Sequence, residues 1–302
     1  MRRVMIGLAG AAAMVAATWP MSGTLASAPA PGVGETQAQA GAPAPQTPAA
    51  GQAREGRGRR GGRGGGGRGR GAQTPPPPIL TSTSPAAPTD NTVPAALAQS
   101  GFVSLFNGKD LTGWQALIDI GTLRSGAGLN PADLLKLSPA ERAAKQAESN
   151  AKYLPHWTVV DGVLRYDGKG QNLQTVKEYG DIEFYVDWCL EPDADTGVYL
   201  RNAPQIQVWD NPLGSGGLYN NQTGPRNPLQ VADRPIDRWN TFHIIQRGDL
   251  VTIWLNGTLI VDHVRMENYW NRAEPLPARG HIELQHHASP LFWKNLYVKE
   301  LN

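Results

Sequence analysis

The sequence predicts an all-β sandwich with one helical insertion, and three observations lead there. From Gly101 onward, strand-like runs recur every eight to twelve residues with turn signals between them, the spacing of a sandwich. The stretch Asp181–Asp210 alternates with a period of two: Ile182, Phe184, Val186, Trp188 and Leu190 on one parity, Asp181, Glu183, Tyr185 and Asp187 on the other. That is the mark of a half-buried strand. The helical pattern is confined to Pro131–Lys152, where Ser138-Pro139-Ala140-Glu141 offers an N-cap Ser, a first-turn Pro and a Glu at N3.

Taken in order, the chain begins with a secretory signal pattern over 1–28. Arg2 and Arg3 form the basic start, Val4–Ala17 the apolar run, and Leu25-Ala26-Ser27-Ala28 an A-x-A site. The apolar run is too short to span a bilayer comfortably, so we expect export to the periplasm or beyond, with no transmembrane span in the mature chain. No cysteine follows that run, which argues against a lipid anchor. The single cysteine, Cys189, can form no internal disulfide, so the fold must stand on its core.

Residues 29–97 are low in complexity: Ala/Pro, then Arg/Gly, then a Pro and Ser/Thr run. They hold too few apolar side chains to offset the entropy of ordering. Arg54–Gly71 carries seven arginines. Such segments can bind RNA, but behind a signal peptide the expected role is a flexible tether touching anionic envelope surfaces. The net charge of +2 hides a split: nine Arg against three acids precede Ala98, which leaves 98–302 mildly acidic. An acidic folded part argues against nucleic acid as its partner. At 205 residues, 98–302 can bury one sizeable core.

Phe102–Gly108 reads as a strand ending in an Asn-Gly turn, and Trp157–Tyr166 as a hairpin on Asp161-Gly162. Leu173–Val176 is a further short strand. Asp181–Asp210 then supplies three strands, with Glu191–Thr196 read as turn. Their polar parities carry Glu183, Tyr185, Asp187, Tyr199, Arg201, Gln205, Gln207 and Trp209, expected on one shared face. Asn211–Asp233 is a long Gly/Asn/Pro-rich loop, a place where binding residues often lie. Trp239–His263 reads as a meander, and His281–His287 and Leu291–Leu301 finish the sheets. Trp188 and Trp254 are expected in the core.

Acids and tryptophans on a sandwich face suggest carbohydrate. Ordinary glycoside hydrolysis needs two carboxylates about 5–5.5 or 6.5–9.5 Å apart. Glu183 and Asp187 are four residues apart, hence ~13 Å along a strand. A pair could still assemble across strands, for instance Glu183 with Glu283. On His281–His287, alternation puts His281, Glu283, Gln285 and His287 on the polar face, and His286 with the core or at the strand end. The adjacent histidines are therefore no metal clamp. A histidine there can act as a general base near neutral pH, or can be structural. No cofactor is required by any motif; a divalent cation at His281 and Glu283 is conceivable but unsupported. Arg201 has the donors to hold sugar hydroxyls, or it could form an internal ion pair with Asp187 or Asp210. Trp209 and Tyr219 could stack on a sugar face.

The pieces FVSLFNGKDLTGW at Phe102–Trp114, WTVVDGVL at Trp157–Leu164, YGDIEFYVDW at Tyr179–Trp188, TGVYLR at Thr196–Arg201 and IQVWDN at Ile206–Asn211 carry a resemblance. RWNTFHIIQRGDLVTIWLNG at Arg238–Gly257 and GHIELQHHASPLFWKNLYVKEL at Gly280–Leu301 complete it. In order and spacing these resemble the 3-keto-disaccharide hydrolase domain family over residues 102–301. The resemblance implies a concanavalin A-like lectin/glucanase jelly roll that binds an oxidised saccharide or glycoside on its concave sheet. A C3 ketone acidifies the C2 proton, so a base can remove it and the aglycone can leave from C1 by elimination, with hydration to follow. The chemistry needs a base, an enolate stabiliser and an acid.

The family often shows Gln-Asp-His-Gly where this chain has Gln285-His286-His287-Ala288, so His287 matches the family histidine while His286 and Ala288 depart. It commonly has Glu where Gln205 stands. The expected roles are His287 as base, Glu183 and Asp187 as candidates for leaving-group protonation, and Arg201 as enolate or hydroxyl contact. Gln205, Gln207, Asp210, Tyr219, Gln285, Tyr185 and Trp209 are expected substrate contacts. The alternative is a non-catalytic, lectin-like carbohydrate-binding module; a glucanase acting on unoxidised glucan ranks below both.

Overall fold

A computed structural model describes residues 90–123, 128–202 and 205–302. The signal pattern and the Arg/Gly-rich tether fall outside the described residues. Among the described residues there are three α-helices: α1 (Ala95–Gln99), α2 (Pro131–Leu134) and α3 (Pro139–Tyr153). The early strands are β1 (Val103–Ser104), β2 (Trp114–Ala116), β3 (Trp157–Val160), β4 (Val163–Tyr166) and β5 (Leu173–Thr175). The middle strands are β6 (Ile182–Leu190), β7 (Asp195–Leu200) and β8 (Gln205–Trp209). The last are β9 (Asn240–Arg247), β10 (Leu250–Leu255), β11 (Thr258–Arg265), β12 (Ile282–Leu284) and β13 (Leu291–Glu300).

They form two antiparallel sheets, the expected all-β sandwich of jelly-roll type. One runs β11-β10-β9-β6-β13-β4-β3 with β1 added against β13; the other runs β2-β5-β12-β7-β8. The apolar parities face inward: Phe184, Val186 and Trp188 from β6 meet Val198 and Leu200 from β7 and Ile206 and Val208 from β8. Each such side chain contributes about 1.5–3 kcal/mol on burial, so this layer is the main source of stability.

One expectation about Asp181–Asp210 is corrected here. Its three strands form, but β6 lies in the eight-stranded sheet and β7 and β8 in the five-stranded one. The polar side chains of β6 thus project from the opposite side of the sandwich. Period-two alternation gives the face of each strand but not the sheet it joins, and the segment 191–194 carries the chain across. Asp195 and Thr196, expected in the turn, begin β7.

Local chemistry accounts for the turns. The β3–β4 hairpin turns on Asp161 (φ 51°) and Gly162 (φ 73°), the two positive φ values of a type I′ turn. The expected helix is split, because Ser138 caps α3: its hydroxyl accepts from Glu141 N–H while the Glu141 carboxylate accepts from Ser138 N–H. The insertion then packs on β2, where the Gln146 and Asn150 side chains bond the Ala116 backbone at 2.8 and 3.0 Å.

The packed region also starts upstream of the expected Ala98 boundary. Asn91 bonds Gly162 O and Asn295 N, and Leu97 is buried with Tyr185, Phe102 and Tyr297. Among the described residues no helix is long and apolar enough to cross a membrane. Trp254, expected in the core, instead stacks on His243 at 4.8 Å on the outer face of the larger sheet.

Candidate active site

The outer face of the five-stranded sheet is where chemistry-bearing side chains converge. On β7 and β8, Asp195 pairs with Trp209, Gly197 with Gln207 and Tyr199 with Gln205. On the other side of β7, Glu283 of β12 pairs with Tyr199, and Gln174 of β5 pairs with Glu283. Because alternate residues share a face, all of these point away from the core.

The register continues past the end of β12. Gln285 N–H donates to Gly197 O at 2.9 Å, and the Thr196 hydroxyl donates to Gln285 O at 2.7 Å. Two residues further, His287 lies near enough to Asp195 to act on its carboxyl electrostatically. Three rows result: Trp209–Asp195–His287, Gln207–Gly197–Gln285, and Gln205–Tyr199–Glu283–Gln174. Neighbouring rows are about 6.6 Å apart, two strand residues.

Two carboxyls in these rows are perturbed. Burial pushes the Asp195 carboxyl above the usual carboxylate range, and the Gln207 amide, donating at 2.7 Å, and His287 draw it back. Burial likewise raises Glu283, opposed by amide N–H donation from Asn172 at 3.0 Å and Asn202 at 2.7 Å. A raised carboxyl keeps a proton it can donate. His286 lies past the end of β12, half-buried against Asn172. Burial and the His287 charge lower it to about 4, and its Nδ1 lies 2.7 Å from Asn172 Oδ1. It is a neutral structural imidazole that orients Asn172, hence Glu283.

In the middle row Gly197 has no side chain, and the space over it is taken by Gln205. A Cβ there would meet Gln205 Cγ and Nε2 at 3.2 Å and Ile206 O at 2.9 Å. Gln205 Nε2 reaches Gln207 Oε1 at 2.5 Å and Gln285 Oε1 at 3.2 Å, and Tyr199 OH donates to Gln205 Oε1 at 2.9 Å. At the rim, Trp209 and Tyr219 meet edge to face at 5.7 Å, with Trp209 pinned by its Nε1–H donating to Gly214 O. The Asn211–Asp233 loop makes this rim by running beside β8, where Gly216 N–H bonds Gln207 O at 2.7 Å.

His287, Gln205, Gln207, Gln285 and Trp209 thus lie on one face, with Tyr219 at its edge. Four expected residues do not join them. Tyr185 is buried under α1 and stacked at 4.3 Å on His243. Asp187 is buried on the outer face of the larger sheet, accepting from Thr241 Oγ1 at 2.6 Å and Asn295 Nδ2 at 2.8 Å. Burial raises Glu183, but His243 at 2.8 Å and Lys299 more than offset it and hold it below the usual range, so it is a poor proton donor. Arg201 is buried at the end of β7, donating to Asp181, Gly180 O and Pro277 O. Its internal ion pair exists, but with Asp181 rather than with Asp187 or Asp210. Asp210 accepts from Asp193 N–H at 3.0 Å, at the rim beyond Trp209.

The residue that sequence reasoning missed is Asp195, hidden in a run of turn formers. The usable signal was its parity with Gly197 and Tyr199. Glu283 had been placed on the polar face only as a conceivable carboxylate partner of Glu183 or cation ligand, and Glu183 lies on the other sheet. Among the described residues no three His, Cys, Asp or Glu side chains are grouped as metal ligands would be.

The comparisons bear on this face. The model of the 3-keto-alpha-glucoside-1,2-lyase-like domain matches residues 101–299. Among solved structures, a Parabacteroides distasonis protein provisionally described as a glycosyl hydrolase is 21% identical. It covers 71% of this chain and 100% of its own, with a TM-score of 0.49. A second such protein from that organism is 22% identical over 75% and 93%, TM-score 0.47. The carbohydrate-binding module CBM66 of Bacillus subtilis is 8% identical over 47% and 91%, TM-score 0.34. No curated protein matches. The match over 101–299 takes in both sheets and every residue of the three rows: the chain belongs to the 3-keto-alpha-glucoside-1,2-lyase-like domain family, which is carbohydrate-active.

Proposed function

We propose that the protein cleaves 3-keto-glycosides by elimination across C1 and C2 followed by hydration. The observation that carries this reading is the row arrangement: His287 near Asp195 at one end, the buried Glu283 carboxyl at the other, amides between. A sugar ring over the middle row lies one row, about 6.6 Å, from each. The family's description as a 1,2-lyase-like domain supports the same bond.

His287 takes the C2 proton, and the electrons of that bond move onto the C3 carbonyl oxygen as an enolate. Asp195 positions the imidazole and stabilises its cation, as a carboxylate beside a catalytic histidine does. The amides of Gln205, Gln207 and Gln285 hold the ring oxygens. The ketone then re-forms, C1=C2 develops, the C1–O bond breaks, and Glu283 gives its proton to the departing oxygen. Water next adds at C1, passing a proton to the Glu283 carboxylate while His287 returns its proton to C2. Net hydrolysis restores both groups.

Trp209 and Tyr219 offer ring faces for stacking. The same features would suit a lectin-like module, and the amide-rich floor favours that reading over a glucanase. The deciding experiment is incubation with a phenyl 3-keto-glucoside while phenol release is followed. Release abolished by His287→Ala supports cleavage; binding without release supports the module. The export pattern of 1–28 fits a substrate met outside the cytoplasm, and N-terminal sequencing of the secreted chain, expected to begin just after Ala28, tests it.

A further inference from the structure

Beyond Glu283 the same face opens into a cavity of about 170 Å³ between the sheet and the insertion. Leu117, Ile118, Leu129 and Leu134 make its apolar side, and Gln174 and His281 stand on the sheet side. Asn202, the donor to Glu283, also lines it, so the cavity adjoins the carboxyl assigned to the leaving group.

Its polar atoms are incomplete. Gln174 Oε1 and His281 Nδ1 are buried with no hydrogen-bond partner, although Gln174 is only 3% exposed. An unpaired buried acceptor costs about 1–3 kcal/mol, and a ligand hydroxyl would satisfy it. The volume sets the size of that ligand. A leucine-lined cavity of about 150 Å³ takes one benzene ring, so there is room here for a six-membered ring. Its apolar side suits an aromatic ring over a polyhydroxylated one. The distance fits as well: Gln174 lies in the Glu283 row, one row beyond the sugar.

We infer that this cavity is the aglycone subsite and takes an aromatic ring carrying a free hydroxyl, distinct from the glycosidic oxygen, that donates to Gln174 Oε1. The inference rests on the proposed cleavage reading, but its test does not require turnover. Phenol and toluene are titrated against the full chain by ligand-observed NMR, with Gln174→Leu and Leu134→Trp as variants and thermal melts reporting folding. Phenol is expected to bind about tenfold tighter than toluene, the worth of one such bond. Gln174→Leu should erase the difference, and Leu134→Trp should fill the cavity and abolish binding of both. Should phenol fail to bind, or bind equally well to Leu134→Trp, the subsite is wrong. Phenol binding without cleavage of any keto-glycoside would leave the subsite standing and remove the cleavage reading instead; cleavage indifferent to the aglycone, without phenol binding, would do the reverse.

Discussion

His287, just beyond the end of β12, lies near enough to Asp195 of β7 to act on its half-buried carboxyl. Burial alone pushes Asp195 toward its neutral form, while the histidine draws it back toward the carboxylate. A carboxylate so placed orients and stabilises an imidazolium.

Removing either partner therefore tests the pair. His287 is exposed, so His287→Ala should leave the melting temperature nearly unchanged while lowering kcat by about 10²–10⁴, the usual worth of a general base. Asp195→Asn should lower kcat less and alter the pH profile rather than KM.

Glu283 should set the alkaline limb of the pH–rate profile. Its carboxyl is raised by burial and must be protonated to donate, so activity falls as pH rises through its folded pKa. Glu283→Gln should remove that limb together with most of the rate, while a keto-sugar still binds. Steady-state rates on the variant across pH check this.

Stability should depend on Asp187, away from the site. Burial raises it to about 7 from an ordinary value of 3.8. Between those values the folded state keeps a proton that the unfolded chain has lost, so stability decreases as pH rises from about 4 to about 7. At 1.36 kcal/mol per pKa unit the loss is on the order of 4 kcal/mol. Asp187→Asn should flatten this slope in denaturant titrations without changing kcat.

Gly197→Ala tests the middle row. Its Cβ would displace the Gln205 side chain and press on Ile206 O at 2.9 Å, costing about 1–3 kcal/mol as overpacking does. Substrate binding should weaken more than the melting temperature shifts.

The sandwich was legible in the sequence because alternation and turn chemistry are local. Asp161-Gly162 gave its hairpin, Ser138 and Glu141 their capping box, and Phe184, Val186 and Trp188 their core face. What local pattern could not carry was the crossing between β6 and β7. Sheet membership is a long-range matter of which strands pair, so Glu183, Tyr185 and Asp187 were grouped with side chains on the other side of the sandwich. The same blind spot hid Asp195, since its partners Gln207 and His287 come from different strands. Gln205, Gln207, Gln285 and His287 were found because each strand's polar parity happened to face the same way. Arg201 shows the limit of parity: it has the right alternation, yet Asp181 and two carbonyls hold it aside.

The central claim is that the C2 proton leaves before the C1–O bond is lost. Phenyl 3-keto-glucoside deuterated at C2 measures it directly. Cleavage by the full chain in ordinary water should be slower than for the protiated compound, and, because the exposed His287 exchanges the abstracted deuteron with solvent before reprotonating C2, the free 3-keto-glucose should carry protium at C2. Equal rates, with deuterium kept at C2 in the product, would mean direct displacement at C1 and would contradict the account.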